Sequence, residues 1–253
     1  MSGHSKWSTI KRQKGVNDQR RGQLFTKLAK AITIAVKAGG GITDPEDNFR
    51  LRLAIEKARE ANMPKENVER AIDRAGGKLS GSELETILYE GYGPFGIAII
   101  VEVATDNKKR TAQEIKRVFD RGGGDLGTSG SVSYLFERKG LVVVSKNGLS
   151  EDQVLEKALE AGAEDLEETE DGFEIYTEDR QLHQVKEKLK SAGLKITDSE
   201  LTFRPKSVVS VSEKEKAEKI LKLMEALENL DDVQKVFANF DIPKQVLGEI
   251  KVD

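Results

Sequence analysis

The residues best suited to chemistry crowd the first 37 positions, and the chemistry they suit is the gripping of a polyanion. Lys6, Lys11, Arg12, Lys14, Arg20 and Arg21 recur every few residues with Trp7 among them, and Lys27 and Lys30 extend the series. Lysine and arginine neutralise phosphates and release their counterions, while an indole stacks on a base or sugar. Residues 1–37 hold nine Lys or Arg against the single acid Asp18, a local charge of +8. Residues 140–203 hold seven bases against sixteen acids, so the overall charge of -3 conceals a basic end and an acidic segment of -9. Such a division suits a chain that meets nucleic acid at one end and keeps another part clear of it. The plainer alternative is a basic terminus that serves only solubility.

Other chemistries find less support. Gly122-Gly123-Gly124-Asp125-Leu126-Gly127 matches the dinucleotide fingerprint in form. That fingerprint needs a strand before it and a helix after it, so that phosphate meets a helix N-terminus; here a helix precedes and a strand follows. The glycines read as a helix stop and a turn. The absence of cysteine excludes disulfides, thiolate nucleophiles and thiolate metal sites. The two histidines, His4 and His183, lie too far apart in sequence for a two-histidine site on one helix. If Met1 is removed, Ser2-Gly3-His4 offers Cu(II) a square plane, an accident of many termini; His4 reads better beside phosphate. The acids between Glu164 and Asp171 read as a solvated edge. No catalytic signature emerges, so the chain is read as non-enzymatic, with no cofactor and no metal.

These residues must be positioned by elements whose periods are visible. Leu24, Leu28, Ala31, Ile32 and Ala35 share one side of a helix, with Lys27, Lys30 and Lys37 opposite as a basic outer face. Gly39, Gly40 and Gly41 end that helix, and Asp44 before Pro45 predicts an N-cap and a second helix over 45–61. Pro64 opens a third, ending near Gly76. The period then changes to strands over 85–92 and 97–104, a helix over 108–120 and a strand over 132–136. Residues 141–203 alternate strand, helix, strand, strand, helix, strand, the layout of a ferredoxin-like sandwich. A short apolar run at 208–211, a helix over 213–228 and a strand over 233–240 are too few for a core of their own and predict completion of the earlier sheet.

The fold class expected is therefore α+β: an N-terminal helical domain followed by two α+β (ferredoxin-like) domains, the last inserted into the middle one. The divisions are a basic arm over 1–21, a helical domain over 22–78, a discontinuous domain over 79–138 plus 205–253, and an acidic domain over 139–204. A length of 253 residues suits two or three domains. No stretch approaches the roughly 20 apolar residues of a membrane span, and no signal peptide is visible, which points to the cytoplasm.

Several motifs resemble those of the YebC family of bacterial and organellar regulatory proteins. They are Gly3-His4-Ser5-Lys6-Trp7 with Ile10-Lys11, then Arg21-Gly22 and Phe25-Thr26-Lys27-Leu28, and Ala61-Asn62-Met63-Pro64 running into Asn67-Val68-Glu69-Arg70-Ala71-Ile72. Further on come Tyr89-Glu90-Gly91-Tyr92-Gly93-Pro94, Thr105-Asp106-Asn107 and the run from Gly127 to Val132. Phe95 stands where that family commonly has glycine, and Lys109 where it often has asparagine. The resemblance implies a helical domain and two α+β domains around a cleft. It also implies one of two roles: DNA-binding transcriptional regulation, or assistance to ribosomes through ribosomal or transfer RNA. The partners expected are thus nucleic acid, with the transcription machinery or the ribosome, and no membrane. Sequence preference is expected to be weak, because no recognition helix with base-reading spacing is evident.

Overall fold

The computed structural model describes residues 18–77, 84–169 and 172–250. Three helices come first: α1 (Asp18–Ala38), α2 (Phe49–Glu60) and α3 (Lys65–Ala75). Their shared core is built on Ile32, Val36, Leu51 and Ala58, all fully buried. Among the described residues helix α1 runs from Asp18, so the backbone of Arg20 and Arg21, the last residues of the basic arm, is helical. Helix α2 begins four residues later than the proline suggests. Asp44 Oδ1 accepts the Glu46 N–H in a turn, and Asn48 caps the helix by accepting the Leu51 N–H at 3.1 Å. The Asn48 amide also donates to the carbonyls of Ala35 and Ile42, both at 3.0 Å, which ties the end of α1 to the start of α2.

The chain then forms β1 (Glu85–Tyr92) and β2 (Ala98–Thr105), an antiparallel hairpin with Glu85 opposite Thr105. Its turn is closed by the Gly93 N–H donating to the Ile97 carbonyl at 2.7 Å. Helix α4 (Lys108–Gly122) follows, stopped by Gly123 at φ +75 as the glycine run predicts. A two-residue β3 (Asp125–Leu126) pairs with the end of β1. No strand forms over 132–135. The N–H groups of Gly130, Val132 and Ser133 donate instead to the buried Glu90 carboxylate at 2.7–2.9 Å, which bends this glycine- and serine-rich stretch into a loop.

Next come β4 (Phe136–Ser145), α5 (Glu151–Ala161), β5 (Asp165–Glu168), β6 (Gly172–Glu178), α6 (Leu182–Ser191) and β7 (Ile196–Pro205). The strand order β5-β6-β4-β7, antiparallel throughout, is the ferredoxin-like arrangement. The tail adds β8 (Val209–Ser210), α7 (Lys214–Glu228), β9 (Val233–Ala238), β10 (Phe240–Asp241) and α8 (Lys244–Glu249). Strand β9 pairs with β2, giving the order β3-β1-β2-β9, so the acidic unit is inserted within the middle one. The middle unit also carries two helices on four strands, but it opens with a hairpin where the acidic unit opens with a strand and a helix.

Helices α4 and α7 cover one face of the middle sheet, where Ile115, Phe119, Met224 and Leu227 meet Ile99, Val101 and Val103. The other face carries Ala98, Ile100 and Phe237, closed by Phe136 and Phe203 of the acidic unit. Strand β2 is thus covered on both sides, which explains its continuous apolar run. The helical unit meets the acidic unit through Phe49, whose ring lies 4.6 Å from that of His183, and through Lys186 with Glu56 at 2.7 Å. Lys57 pairs with Glu200 and with Asp198 at 3.3 Å, while Lys235 reaches Glu200 at 3.1 Å. Among the described residues, no helix is long and apolar enough to cross a membrane.

Candidate nucleic-acid interface

Lys6, Trp7, Lys11, Arg12 and Lys14 lie outside the described residues, and of Arg20 only the helical backbone is described. Arg21 is exposed in the first turn of α1, its guanidinium 5.6 Å from the Phe25 ring centre. The lysine face of α1 does not look outward. Lys27 Nζ donates to the Glu228 carbonyl, and Lys30 Nζ donates to the Asp231 carbonyl at 3.0 Å and to Asp232 Oδ1 at 2.6 Å. Lys37 reaches the Leu84 carbonyl at 3.2 Å. All three therefore fasten α1 to the middle unit. Opposite an apolar stripe there is room either for water or for a second protein surface, and the helical wheel alone does not tell them apart.

The centre of this joint is Asp232, whose side chain is only 6% exposed. It accepts from Arg110 at 2.7 Å, from Thr111 at 2.6 Å and from Thr105 at 3.2 Å, besides its bond from Lys30. Burial alone would raise its pKa. The bonds from Lys30, Thr111 and Arg110 reverse this and hold the carboxyl well below the usual range. A buried carboxylate so satisfied is a structural hub; its acceptor capacity is already taken.

Beside the hub, between the helical and middle units, lies an open cleft of about 1050 Å³. Gln23 and Lys30 of α1, Arg70 and Arg74 of α3, and Asp106 and Arg110 at the start of α4 are among its lining. Arg70 and Arg74 are exposed, four residues apart on one helical face, and neither has an ionic partner among the described residues. The α3 side of the cleft is thus basic, while Asp106, Glu114, Asp231 and Asp232 balance the charge of the lining as a whole. Sequence reasoning missed Arg70, Arg74 and Arg110. The first two had a visible signal in their spacing, whereas the third depends on the tertiary meeting of α4 with Asp232.

The acids of the inserted unit are partly neutralised within it. Lys139 pairs with Glu164 at 2.7 Å, and Arg204 pairs with Asp165 at 2.6 Å and Glu167 at 2.5 Å. No group of three or more His, Asp or Glu among the described residues is placed to hold a metal ion.

A helical unit docked on a discontinuous α+β unit that carries a ferredoxin-like insertion defines an architecture shared with known proteins. Residues 5–78 match the model for the TACO1/YebC protein N-terminal domain, and residues 84–240 match that for the TACO1/YebC second and third domain. The chain belongs to the TACO1/YebC family. It is 51% identical over 251 residues to a probable transcriptional regulatory protein of Persephonella marina, across 99% of this chain and 100% of that one. It is 54% identical over 251 residues to one from Dictyoglomus thermophilum, with the same coverage. The crystal structure of a conserved hypothetical protein from Aquifex aeolicus superposes with a TM-score of 0.83 at 49% identity, covering 91% of this chain and 94% of that one.

Proposed function

We propose that this protein regulates gene expression by binding nucleic acid through its basic N-terminal region, without catalysing a reaction. The observation that carries the reading is the unpaired positive charge of Arg70 and Arg74 on the cleft side of the helical unit, together with exposed Arg21, which follows the basic first 14 residues in sequence. Surface cations left without acid partners repel one another and gain their fullest stabilisation from a polyanion. The names of the relatives favour transcription as the process regulated, and DNA is the target that this process would supply. Lys6, Trp7, Lys11, Arg12, Lys14, Arg20 and Arg21 remain the proposed contacts; Lys27 and Lys30 would join them only if their bonds to residues 228–232 opened.

A second reading, a translation factor bound to ribosomal or transfer RNA, is favoured by one observation. The arginines of α3 line a cleft, so this helix does not offer them freely to a DNA major groove. Unpaired RNA segments enter such spaces more readily than a duplex does. Ultraviolet crosslinking in growing cells, followed by sequencing of the attached nucleic acid, separates the two readings, with Arg20→Glu/Arg21→Glu as the control. Promoter DNA lost in the variant supports transcriptional regulation. Enrichment of ribosomal or transfer RNA supports the translation reading, and no enrichment over an unrelated acidic protein overturns both.

A further inference from the structure

Helix α4 carries a second concentration of charge, remote in sequence from the N-terminal region. Residues 108–122 hold Lys108, Lys109, Arg110, Lys116, Arg117 and Arg121 against Glu114 and Asp120, a net charge of +4 in a chain whose total is -3. The first turn uses two of these cations internally: Lys108 pairs with Glu85 at 2.6 Å, and Arg110 with Asp106 and Asp232. Lys109, Lys116, Arg117 and Arg121 are exposed, with no hydrogen bond or ion pair among the described residues. Thr111, Ile115 and Phe119 are the buried side of the helix. At 100° per residue the four free cations fall within about 140° of circumference, centred opposite that buried side. They extend over thirteen residues, or about 18 Å of helix.

Ordinary solvated helix faces look different, and α7 provides the comparison. It packs beside α4 on the same sheet and is the same length, yet residues 214–228 carry four lysines and four glutamates. An outer face with four free cations against the single exposed acid Asp120 is not required by packing, since neither helix buries it. Position supplies the second argument. Arg110 and Glu114 of α4 line the same cleft as Arg70 and Arg74, so a strand leaving the N-terminal unit across that cleft arrives at α4.

We infer that the outer face of α4, through Lys109, Lys116, Arg117 and Arg121, is a second binding surface for the sugar–phosphate backbone of the nucleic acid held by the N-terminal region. The inference rests on the nucleic-acid reading of function. Point charges directed at phosphates carry no base information, so this surface adds affinity equally across sequences.

The test uses the full-length protein with two labelled probes of equal length, a single-stranded RNA and a DNA duplex, titrated over a range of salt. Lys116→Glu/Arg117→Glu is expected to weaken binding to the preferred probe by about tenfold or more. Lys116→Gln/Arg117→Gln, which removes the charge without reversing it, is expected to reduce the steepness of log K against log salt by roughly 1.4–1.8, the counterions of two phosphate contacts. The Gln pair also serves if the Glu pair folds poorly. Wild-type binding with unchanged affinity and salt slope in the Gln pair, alongside a loss in Arg20→Glu/Arg21→Glu, would overturn this inference and leave the function intact. Failure of the wild type to bind either probe would overturn the functional reading and this inference together.

Discussion

On α1, Lys27, Lys30 and Lys37 each donate to the middle unit, whereas on α4 Lys109, Lys116, Arg117 and Arg121 find no acceptor among the described residues. In the sequence the first set looks the more available, because it adjoins a basic arm and no acid interrupts it. The fold reverses that ranking. A charge count identifies cations, but only the tertiary structure identifies which are already neutralised. The lysines of α1 are therefore expected to govern stability, and the cations of α4 affinity.

Acid should produce the largest effect, acting through carboxylates that are bonded within and between the units. Asp232, Glu200 and Glu90 all lie below their ordinary carboxyl pKa. Burial opposes this in each case. It is outweighed by Lys30, Thr111 and Arg110 on Asp232, by Lys235 and Lys57 on Glu200, and by three backbone N–H groups on Glu90. A carboxyl whose folded pKa is depressed stabilises the fold above its unfolded pKa and loses that contribution as pH falls through the folded value. The melting temperature should hold steady from neutral pH to about 5 and fall progressively below about 4. The arginine and lysine charges of α4 do not change in that range. A melting temperature unchanged at pH 3 would mean that these carboxylates do not hold the units together.

Next in size is the loss of the hub. Asp232→Leu strands Lys30 and Arg110 without their carboxylate and leaves the Thr105 and Thr111 hydroxyls short of an acceptor, a change expected to cost about 2–4 kcal/mol. Urea unfolding followed by circular dichroism measures it. Lys30→Met should cost less, about 1–2 kcal/mol, because Arg110 and Thr111 still satisfy the aspartate. If Lys30→Met left stability unchanged but weakened nucleic-acid binding, the two helices would have to exchange roles.

Glu90→Gln is expected to follow at about 1–2 kcal/mol, since an amide keeps the shape of the carboxylate but has one acceptor oxygen, so either the Gly130 N–H or the Val132 and Ser133 N–H groups lose their partner. Hydrogen exchange at those three amides should accelerate more than exchange in β2. Equal acceleration in both would show that Glu90 supports the whole sheet rather than its loop.

Much of this architecture was legible. The glycine stop of α1, the break at Pro64 and the strand and helix alternation of the acidic unit are local signals, and the elements follow them closely. Three features were not local. The Val132 and Ser133 amides bond to Glu90, over forty residues earlier in the chain, so a stretch with strand-like composition became a loop. Asn48 displaced Asp44 as the cap because only Asn48 also reaches the carbonyls of Ala35 and Ile42. The periodicity of α1 showed which side was apolar, but not that its opposite side meets residues 228–232. For the candidate interface, Arg70 and Arg74 were visible as a pair; their place on a cleft wall depends on how the helical unit docks.

The smallest effect separates α4 from α1 most cleanly, because binding should change while stability stays nearly constant. Arg117 and Arg121 are four residues apart on the same helix, exposed, and have no ion pair among the described residues. Like charges at this spacing destabilise a helix by about 0.2–0.5 kcal/mol, an amount that salt screens. Glutamine matches arginine closely in helix propensity, so Arg117→Gln removes the repulsion from Arg121 together with the attractions to Glu114 and Asp120, three residues to either side. These terms offset one another, so the variant should match the wild type in stability to within about 0.5 kcal/mol at low and at high salt. It should bind nucleic acid more weakly. Paired urea titrations at two salt concentrations provide the measurement. A loss of stability well beyond that would mean that Arg117 makes a further favourable contact within the fold, and the contrast between the two helices would then rest on Lys109, Lys116 and Arg121 alone.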